Sequence, residues 1–368
     1  MEFAADVIVV GAGPAGVAAT LSAAEEGADC LLIEASSRPG GTVASAGIFS
    51  LCGVFPQHSS GKFPFPSPWN ELSDNRRISL GKMDVLQITP WGFSSLLERF
   101  VSSLPNISLA MSTPVCPGMK FSAGALIDCT GDAILAGLAG VETLENPACS
   151  PGLGFVLKGV DMDCLAPGAL DITRKASAEF PDVSIRLFPA LAFEFDAERL
   201  VPGMLNLSSK HALLPPALLY DRAVKQLDAI LGFLGEKAGA LSNAAIFWKG
   251  ERVGARSGRV IRGRKMLEFK DCADAHNAVA CGFWPSELWQ DASGAEFSYL
   301  SGGILHIPDE CLEAEFAIPF FAAGRCLCAD PVSQASVRVT GTAISTGIQA
   351  GLLAARAAQQ GGRRSVRL

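Results

Sequence analysis

Residues 6–34 constrain the fold more than any other part of the chain. The segment opens with four apolar residues, Val7–Val10, followed directly by the glycine-rich turn Gly11–Gly16, which has the pattern G-x-G-x-x-G. An alanine-rich segment follows, and then a second apolar run, Cys30–Ile33, which ends at the acidic residue Glu34. Apolar, mostly β-branched runs are typical of strands that are buried on both faces. The order strand, turn, helix, strand therefore predicts a βαβ unit of a parallel sheet.

Each glycine of this turn has a mechanical reason to be glycine in a dinucleotide site. Gly11 allows the tight turn from strand to helix, Gly13 lets a pyrophosphate approach the backbone, and Gly16 lets helix and strand pack closely. The helix N-terminus offers unpaired N–H groups and a partial positive charge to the phosphates. Glu34 stands where its carboxylate can accept hydrogen bonds from both ribose hydroxyls of an adenosine. The alternative, a glycine-rich turn without a ligand, gives the glycines and the terminal acid no role.

A pair of glycines six residues beyond Glu34 indicates which dinucleotide is bound. These residues are Gly40 and Gly41, and Thr42 follows them. The combination of GAGPAG, a glutamate and this pair resembles the FAD-binding fingerprint of the two-dinucleotide-binding-domain flavoproteins, which have the glutathione-reductase-like fold. The resemblance implies FAD as the cofactor in preference to NAD.

Composition and charge limit the partners that the chain can have. Of the 368 residues, 49% are hydrophobic and 18% are charged, which is typical of a well-buried globular protein. The length suits about two domains. The formal net charge of −7 argues against nucleic acid or an anionic membrane as the main partner. We therefore expect a small-molecule substrate, with a homo-oligomer as an option and the electron partner unassigned.

The cysteines, the histidines and the N-terminal residues bear on compartment and metals. The 11 cysteines include no C-x-x-C pair, since the nearest two are Cys326 and Cys328. This pattern predicts reduced thiols in a cytoplasmic protein and argues against a disulfide reductase. Four scattered histidines predict no metal site. Glu2 and Asp6 do not suit a signal peptide, and residues 340–359 are too polar for a membrane span, so neither is predicted.

Residues 42–88 are rich in glycine, serine and proline. Phe63, Phe65 and Trp69 are interleaved with prolines in the middle of this segment. A long ordered loop, inserted in the first domain, is therefore predicted in preference to regular structure. Because the segment leaves directly from the glycine pair, it could cover the flavin ring. Equally, its aromatic residues could be buried in the core, and the sequence leaves both options open.

The remainder of the first domain is read as short elements. Thr89, which precedes a proline, is typical of a helix N-cap, and apolar residues at helical spacing follow as far as Leu104. Ile107–Ala110 and Ala125–Asp128 are predicted strands. Relatives of the resembled fold usually place a three-stranded β-meander between these two strands. Residues 112–122 are too few for it, so a reduced edge of the sheet is predicted.

Two later segments resemble parts of the same flavoprotein fold that lie beside the cofactor. The run IDCTGD, which contains Cys129–Asp132, resembles the "ATG" turn, with cysteine in place of the usual alanine. Phe320–Ala323 is predicted to be the last buried strand, and the final helix is predicted to begin near Thr340–Thr342. The N-terminus of that helix, facing the flavin pyrimidine, would stabilise negative charge on the reduced ring. The small residues of the helix would permit close approach to the sheet or to the cofactor; they are Gly341, Gly347 and Gly351.

The pattern changes from about residue 146, which indicates a second domain. The elements predicted there are strands at Phe155–Val160, Ile185–Leu187 and Leu191–Phe195 and an amphipathic helix at Pro216–Gly232. We take residues 146–310 as an inserted substrate or cap domain. Residues 1–145 and 311–368 then form one discontinuous FAD-binding domain. The predicted fold class is α/β, with a Rossmann-like FAD-binding domain and an inserted α+β substrate domain.

The segment ERVGARSGRVIRGRK concentrates basic residues inside the insertion; these are Arg252, Arg256, Arg259, Arg262, Arg264 and Lys265. One interpretation is a solvated basic strand or turn. The other is an anion pocket, because arginine suits bidentate contacts with carboxylate or phosphate. Arg256 and Arg259 could reach one ligand only if the backbone bends between them. We assign Arg259 and Arg338 to the orientation of an anionic group.

Two further segments carry side chains with more than one possible role. His306 lies in a short apolar run after a glycine pair, where a histidine is commonly a core residue. Its alternative role is proton transfer beside the flavin, because histidine titrates near neutrality. The aromatic segment Cys281–Trp289 is interpreted as core packing.

The segments ERVGARSGRVIRG…CGFWPSELW and AAGRCLCADPVSQASVRVTGTAISTGIQAG together resemble a bacterial family of FAD-dependent oxidoreductases. The chain departs from the family pattern at Gly258, where arginine is common, at Cys328, and at Ile348–Gln349. The resemblance implies a reaction class and no particular substrate. The cofactor-binding residues that it implies are Gly11, Ala12, Gly13, Pro14, Ala15, Gly16, Glu34, Ala35, Arg38, Gly40, Gly41, Thr42, Val115, Thr130, Gly131, Asp132, Gly324, Arg325, Val339, Thr340, Gly341 and Thr342.

The sequence as a whole predicts an FAD-dependent dehydrogenase or reductase that transfers a hydride between bound flavin and a small organic substrate. That substrate is anionic if the basic segment forms a pocket. A second G-x-G-x-x-G is absent from the sequence, so no separate nicotinamide domain is predicted. The alternatives are a flavin monooxygenase, which typically has Gly-Asp where this chain has Gly324-Arg325, a non-catalytic flavoprotein that acts as a sensor or assembly partner, and a pure NAD-binding module. Covalent attachment of FAD stays open, with His58 and the cysteines as conceivable points.

Overall fold

The computed structural model describes residues 1–56, 63–81, 83–273 and 276–368. Its helices are α1 (Pro14–Glu25), α2 (Gly41–Ala46), α3 (Pro90–Val101), α4 (Ile134–Ala139), α5 (Met162–Glu179), α6 (Pro216–Lys237), α7 (Pro331–Val337) and α8 (Thr340–Gly361). Its strands are β1 (Glu2–Val10), β2 (Cys30–Ile33), β3 (Ser50–Leu51), β4 (Arg77–Leu80), β5 (Met83–Gln87), β6 (Ile107–Ala110), β7 (Lys120–Asp128), β8 (Thr143–Glu145), β9 (Gly152–Lys158), β10 (Val183–Leu187), β11 (Phe193–Phe195), β12 (Glu198–Leu207), β13 (Ala245–Lys249), β14 (Arg259–Ile261), β15 (Ala278–Gly282), β16 (Ser286–Asp291), β17 (Gly294–Ser298), β18 (Leu305–Pro308), β19 (Glu313–Ala314), β20 (Phe320–Ala322) and β21 (Arg364–Arg367).

The largest sheet has the order β19–β20–β7–β1–β2–β6, and β21 pairs with β7. β1 is parallel to both of its neighbours, so that Val9 stands opposite Leu32 on one side and Ile127 on the other. The strand order reverses at β1, because β2 lies on one side and the much later β7 on the other. In open α/β sheets ligands bind beyond the carboxyl ends of the strands at this switch point. The glycine turn after Val10 lies at that place, and the predicted fold class is confirmed.

Helices α1 and α8 cover one face of this sheet in close contact with each other. α1 is buried along nearly its whole length, from Ala15 to Ala24. A Cβ atom at Gly347 would lie 2.3 Å from the carbonyl oxygen of Ala15, and one at Gly351 equally close to that of Ala19. The sequence predicts that the small residues of α8 allow close approach to the sheet or to the cofactor. At these two positions they allow close approach to the backbone of α1 instead.

A second, antiparallel sheet forms inside the predicted insertion. It has the order β10–β12–β9–β13, with β11 paired to β12. Helices α5 and α6 pack on it around a separate core that includes Phe155, Leu205 and Leu227. α6 starts where the amphipathic pattern predicts and continues to Lys237, five residues beyond the predicted end. α5 was not predicted, because Pro167 and its neighbouring glycine interrupt its helical pattern.

The segment 42–88 is more regular than predicted. It contains most of α2 and a three-stranded antiparallel sheet of order β3–β5–β4, whereas we expected an ordered loop. Phe65 and Trp69 are buried in the main core, and the Trp69 ring packs edge-on against Phe100 at a centroid distance of 5.4 Å. These contacts favour the core interpretation of the aromatic residues. Residues 57–62 and 82 of this segment lie outside the described part of the chain.

The two edges of the main sheet differ in how well the sequence predicts them. The chain passes from β6 to β7 without an intervening strand, as the short spacing predicts. The antiparallel pairing of β21 with the first half of β7, Arg367 opposite Lys120, was not predicted. None of the helices in the described ranges is both long enough and apolar enough to cross a membrane.

Candidate functional site

The turn between β1 and α1 requires glycine at two of its three glycine positions for reasons internal to the protein. Gly11 has φ +100°, and a Cβ atom there would lie 2.4 Å from the carbonyl oxygen of Cys129. A Cβ atom at Gly16 would lie 1.7 Å from the carbonyl oxygen of Gly11. These contacts bring the turn against the end of β7 and the helix against the turn. They are the close approaches that the sequence pattern predicts.

Gly13 has no such internal reason to be glycine. A Cβ atom there would meet only the Cα atom of Gly41, at the ordinary contact distance of 3.8 Å. Gly13 is also the N-cap residue of α1, and no side chain caps that helix. The N-terminus of α1 therefore has no capping side chain and leaves room for added atoms at Gly13. An uncapped helix N-terminus beside such a space fits a pyrophosphate group, which supports a dinucleotide in this site.

The glycine pair brings a second helix to the same place. α2 begins at Gly41, and the Gly40 N–H donates to the carbonyl oxygen of Ala12 over 2.8 Å. A Cβ atom at Gly41 would lie 2.9 Å from the Cα atom of Gly13. The two glycine motifs of the sequence therefore touch each other, although Gly13 and Gly40 are 27 positions apart. Thr42 follows on the first turn of α2.

The Glu34 carboxylate is buried and held by the backbone. Its Oε2 accepts the Ala12 N–H over 2.7 Å, and its Oε1 accepts the Ser36 N–H over the same distance. Each carboxylate oxygen has a further lone pair, which is what two ribose hydroxyls need. Ala35 and Arg38, the predicted cofactor-binding residues that follow Glu34 in the sequence, are exposed. Val115, also on the predicted list of cofactor-binding residues, is partly buried.

Replacing Glu34 with glutamine is expected to weaken FAD binding and to lower the free energy of unfolding by about 1–3 kcal/mol. The two backbone N–H groups each need an acceptor atom, and the glutamine amide offers only one. The measurement is FAD titration by fluorescence quenching together with urea unfolding. Glu98→Gln, on the exposed side of α3, is the matched control and should change neither quantity. Unchanged FAD affinity in Glu34→Gln would remove Glu34 from the site.

The turn after β7 is organised by an acid and a thiol that the sequence analysis missed. Asp128 is fully buried, and its carboxylate accepts the N–H groups of Thr130 and Ala136, each over 2.9 Å. Burial raises the pKa of Asp128, against the effect of these hydrogen bonds. The Gly131 N–H donates to the Cys326 sulfur over 2.9 Å. For Asp128 the sequence offered one signal, an acidic residue at the end of an apolar strand. For Cys326 it offered no signal.

The beginning of α8 packs on the segment that follows β3. The Gly341 N–H donates to the carbonyl oxygen of Cys52 over 2.9 Å, and a Cβ atom at Gly341 would lie 1.8 Å from the carbonyl oxygen of Gly53. The hypothesis that the N-terminus of α8 stabilises the reduced flavin needs free N–H donors there. The Gly341 N–H is not free, because it already donates to Cys52. Thr342 Oγ1 is buried without a hydrogen-bond partner in the described residues. Thr340 and Val339 are buried beside it.

The basic segment does not form one solvated strand, and it does not form one pocket. Its exposed members make separate contacts: Arg262 pairs with Glu142, Arg264 with Glu313, and Arg252 with the Ser36 hydroxyl. Arg259 turns toward the end of β7. Its N–H donates to Asp132 Oδ1 over 2.9 Å, and its Nη2 lies 3.6 Å from Asp132 Oδ2.

Gly258 lies between Asp132 and Arg325, which explains one departure from the resembled family. A Cβ atom at Gly258 would lie 2.2 Å from Asp132 Oδ1 and 2.7 Å from Arg325 Nη1. Arg325 donates to the carbonyl oxygen of Ser257, and its Nη2 faces Gly131. Burial lowers the pKa of the Arg325 guanidinium. Any side chain at residue 258 would displace one of these two charged groups from the turn.

Arg256 and Arg338 lie near a glutamate between two tryptophans. Glu287 accepts the indole N–H of Trp284 over 2.8 Å and that of Trp289 over 2.7 Å. The Arg256 guanidinium lies over the Trp289 ring at 4.2 Å, and Arg338 donates to the Glu287 carbonyl oxygen over 2.8 Å. The core interpretation of this aromatic segment accounts for the buried rings. It did not anticipate the charged groups that they hold, although W-x-x-E-x-W was visible.

His306 lies in β18 and faces a different set of residues. Its Nδ1 lies 3.8 Å from the Cys281 sulfur. It lines a cavity with residues of the segment 265–271, His276 and Pro308, and none of the predicted cofactor residues lines that cavity. The structure therefore does not bring His306 together with the glycine turns. His58, a conceivable attachment point for flavin, lies outside the described residues, and the 11 cysteines are free thiols.

Comparisons with known proteins place this geometry in context. A family model described as "FAD dependent oxidoreductase" matches residues 6–82 and 161–367, well over half of the chain. A search of curated proteins found no match.

Several solved structures are similar to this chain at low sequence identity. The flavin-dependent brominase Bmp2 matches 97% of this chain and 80% of its own at 13% identity, with a TM-score of 0.49. A geranylgeranyl bacteriochlorophyll reductase-like protein from Thermoplasma acidophilum matches 98% and 79% at 14% identity, with a TM-score of 0.47. The anhydrotetracycline hydroxylase OxyS from Streptomyces rimosus matches 95% and 62% at 12% identity, with a TM-score of 0.45.

Proposed function

We propose, from the premise that this chain belongs to the family of FAD-dependent oxidoreductases and has FAD as its cofactor, that it is a dehydrogenase or reductase. It transfers a hydride directly between the flavin and a small organic substrate. The observation that supports the cofactor site in this proposal is the room at Gly13 beside the uncapped α1. The sequence has one such glycine turn, so the flavin exchanges electrons with a substrate and not with a second, nucleotide-bound domain.

The protein's share of the chemistry is binding, orientation and electrostatics. The bound flavin supplies the hydride acceptor or donor. The first N–H groups of α1 bind the pyrophosphate, and Glu34 binds the ribose. The turn at Gly131 and Asp132, braced by Arg325, borders the remainder of the cofactor. These roles match the FAD half of the two-dinucleotide-binding-domain flavoproteins, and we place the chain in that subclass.

In this proposal the main sheet belongs to the domain that binds the cofactor, and the second sheet belongs to the domain that covers it. Residues 1–145 and 311–368 form the FAD-binding domain, and residues 146–310 form the substrate domain. The division is supported by the separate core under β9 and β12. The two parts meet through the pairing of β8 with β14. Substrate therefore reaches the flavin from the side of the inserted domain.

Three side chains are assigned to the substrate in this proposal. Arg338 orients an anionic group. Arg259 comes second for this role, because Asp132 already offsets its charge at 3.6 Å. His306 is retained for proton transfer as a prediction, although its recorded neighbours are Cys281 and the cavity beyond β18.

The first experiment is the visible spectrum of the purified protein, before and after acid precipitation. We expect flavin absorbance that is released into the supernatant as FAD. Flavin retained in the pellet would indicate covalent attachment. A colourless protein that FAD cannot reconstitute would contradict the proposal.

Anaerobic reduction of the holoprotein then tests the reaction class. We expect a small organic donor to bleach the flavin, or substrate to reoxidise flavin that has been reduced chemically. Rapid peroxide formation with NAD(P)H in air would favour the flavin monooxygenase, the competing enzyme. Failure of every donor and acceptor would favour a non-catalytic flavoprotein.

A further inference from the structure

Five side chains of the substrate side form one connected group, which we name the arginine–tryptophan cluster: Arg186, Arg256, Glu287, Trp289 and Arg338. The Trp289 ring carries two guanidinium groups, Arg256 at 4.2 Å and Arg186 at 4.8 Å from its centroid. Its indole N–H donates to the Glu287 carboxylate. Arg338 joins the group through the Glu287 carbonyl oxygen.

The positive charge of this cluster is not matched by negative charge. Within the described residues, no carboxylate oxygen lies within 4.0 Å of the guanidinium nitrogens of Arg186, Arg256 or Arg338. Arg256 donates to neutral acceptors instead, the carbonyl oxygen of Ser150 and the Asn206 side chain, each over 2.6 Å. Three cations therefore share the single negative charge of Glu287, whose oxygens also accept the two indole N–H groups. Partly buried positive charge in excess of the nearby negative charge is costly, so the cluster favours an anion.

Arg338 has the most donor capacity to offer such an anion. A guanidinium has five N–H donors, and in the described part of the chain Arg338 uses one, toward the Glu287 carbonyl oxygen. The residue is half-buried, so the remaining donors face a partly enclosed space. Burial, and after it the charge of Arg338, lowers the pKa of the Arg256 guanidinium to about 9.

The cluster also lies close to the cofactor elements. Arg338 precedes α8 by two residues, and α8 begins against Cys52 and Gly53. Arg256 is two residues before Gly258, which packs on Asp132 of the turn after β7. Both arginines are therefore tied through the backbone to elements assigned to the flavin.

We propose that Arg338 and Arg256, fixed by Glu287 and Trp289, bind the carboxylate of an organic acid as the substrate of this enzyme. The inference rests on the proposed function and names its substrate class. Planar guanidinium groups suit a planar carboxylate through paired hydrogen bonds. Glu287 and Trp289 are positioning residues, because they hold the arginines and contact no substrate.

The test is isothermal titration calorimetry on the FAD-loaded protein with three probes of increasing size, namely acetate, succinate and benzoate. Each is compared with its neutral amide. We expect at least one acid to bind and its amide to bind at least about 10-fold more weakly, as loss of a charge-assisted contact implies. Equal binding of acid and amide, or no binding of any acid, would overturn the inference.

Variants locate the site. Arg338→Gln is expected to weaken binding of the acid by about 10- to 150-fold, the range for hydrogen bonds to a charged group, and Arg338→Lys by less. Arg262→Gln, which removes the exposed partner of Glu142, is the matched control and should bind the acid normally. The flavin spectrum and the melting temperature of each variant are recorded. If Arg338→Gln loses its fold, Arg338→Lys carries the test, and acid binding unaltered in Arg338→Lys then contradicts the role.

The outcomes separate the inference from the proposed function. Acid binding that depends on Arg338, without flavin reduction or reoxidation by any substrate, would sustain the anion site and contradict the oxidoreductase. Flavin turnover with a neutral substrate, equal in Arg338→Gln and the unaltered protein, would sustain the oxidoreductase and contradict the anion site.

Discussion

Gly13→Asp is expected to produce a folded protein that no longer binds FAD. The carboxylate would stand where the pyrophosphate approaches, and two unit charges about 4 Å apart repel by roughly 4 kcal/mol at the effective dielectric of a protein surface. FAD affinity should therefore fall by about 1,000-fold. The fold should not suffer, because a Cβ atom at Gly13 meets only the Gly41 Cα at 3.8 Å. Aspartate is also a better N-cap than glycine by a few tenths of a kcal/mol.

The measurement combines FAD titration with urea unfolding of the apoprotein. Gly13→Asn is the matched control, since it has nearly the shape of aspartate without the charge, and Gly13→Ala adds only a methyl group. We expect affinity to decrease in the order Gly, Ala, Asn, Asp, with the free energy of unfolding unchanged or slightly higher. Normal FAD binding by Gly13→Asp would show that no phosphate lies at this turn.

Gly16→Ala is expected to have the opposite profile, because it damages the fold itself. The new Cβ atom would lie 1.7 Å from the Gly11 carbonyl oxygen, and no rotamer relieves a clash between a Cβ atom and backbone. α1 must move away from β1, and α8 packs on α1 without a gap. Overpacking of a core costs about 1–3 kcal/mol and sometimes more, and this site belongs at the upper end. We expect a sharply lower urea midpoint and a low yield of native protein.

The control for this experiment is Gly232→Ala in α6. No atom beyond the neighbouring residues and the backbone of α6 itself lies within 4 Å of a Cβ built there, so the substitution should stabilise the helix by up to about 1 kcal/mol. Added FAD should not restore Gly16→Ala to the midpoint of the unaltered protein, since the strain lies between protein groups. A normal midpoint for Gly16→Ala would contradict the packing of α1 described above.

The sequence predicts the first βαβ unit well because local and distant constraints coincide there. The apolar run Cys30–Ile33 is bounded by polar residues, and β2 has those bounds. The glycine positions report on close contacts that only a few backbone arrangements satisfy. In contrast, β21 is short, polar and mostly exposed, so nothing in RSVR indicates that it pairs with β7. Its position depends on where α8 ends, which is a tertiary fact.

The sequence also predicts one part of the candidate site better than the other. The cofactor side is encoded in a contiguous motif, whereas the substrate side depends on partners far apart in the chain. Arg256 and Arg259 are three residues apart, yet one lies over Trp289 and the other pairs with Asp132. The charge of an arginine is visible in the sequence, but the acceptor that it meets is not. Asp128 and Cys326, which hold one turn together, are 198 residues apart.

The contact between α1 and α8 has a consequence for how the protein folds during its synthesis. The Gln359 side chain of α8 donates a hydrogen bond to the carbonyl oxygen of Glu26, which follows directly after α1 and is 333 positions away in the chain. During translation, α1 leaves the ribosome long before α8 and has an apolar surface on nearly every side until its partner arrives. Such exposed surface promotes aggregation and recruits chaperones. We therefore expect FAD to bind only after α8 has been synthesised and has packed on α1.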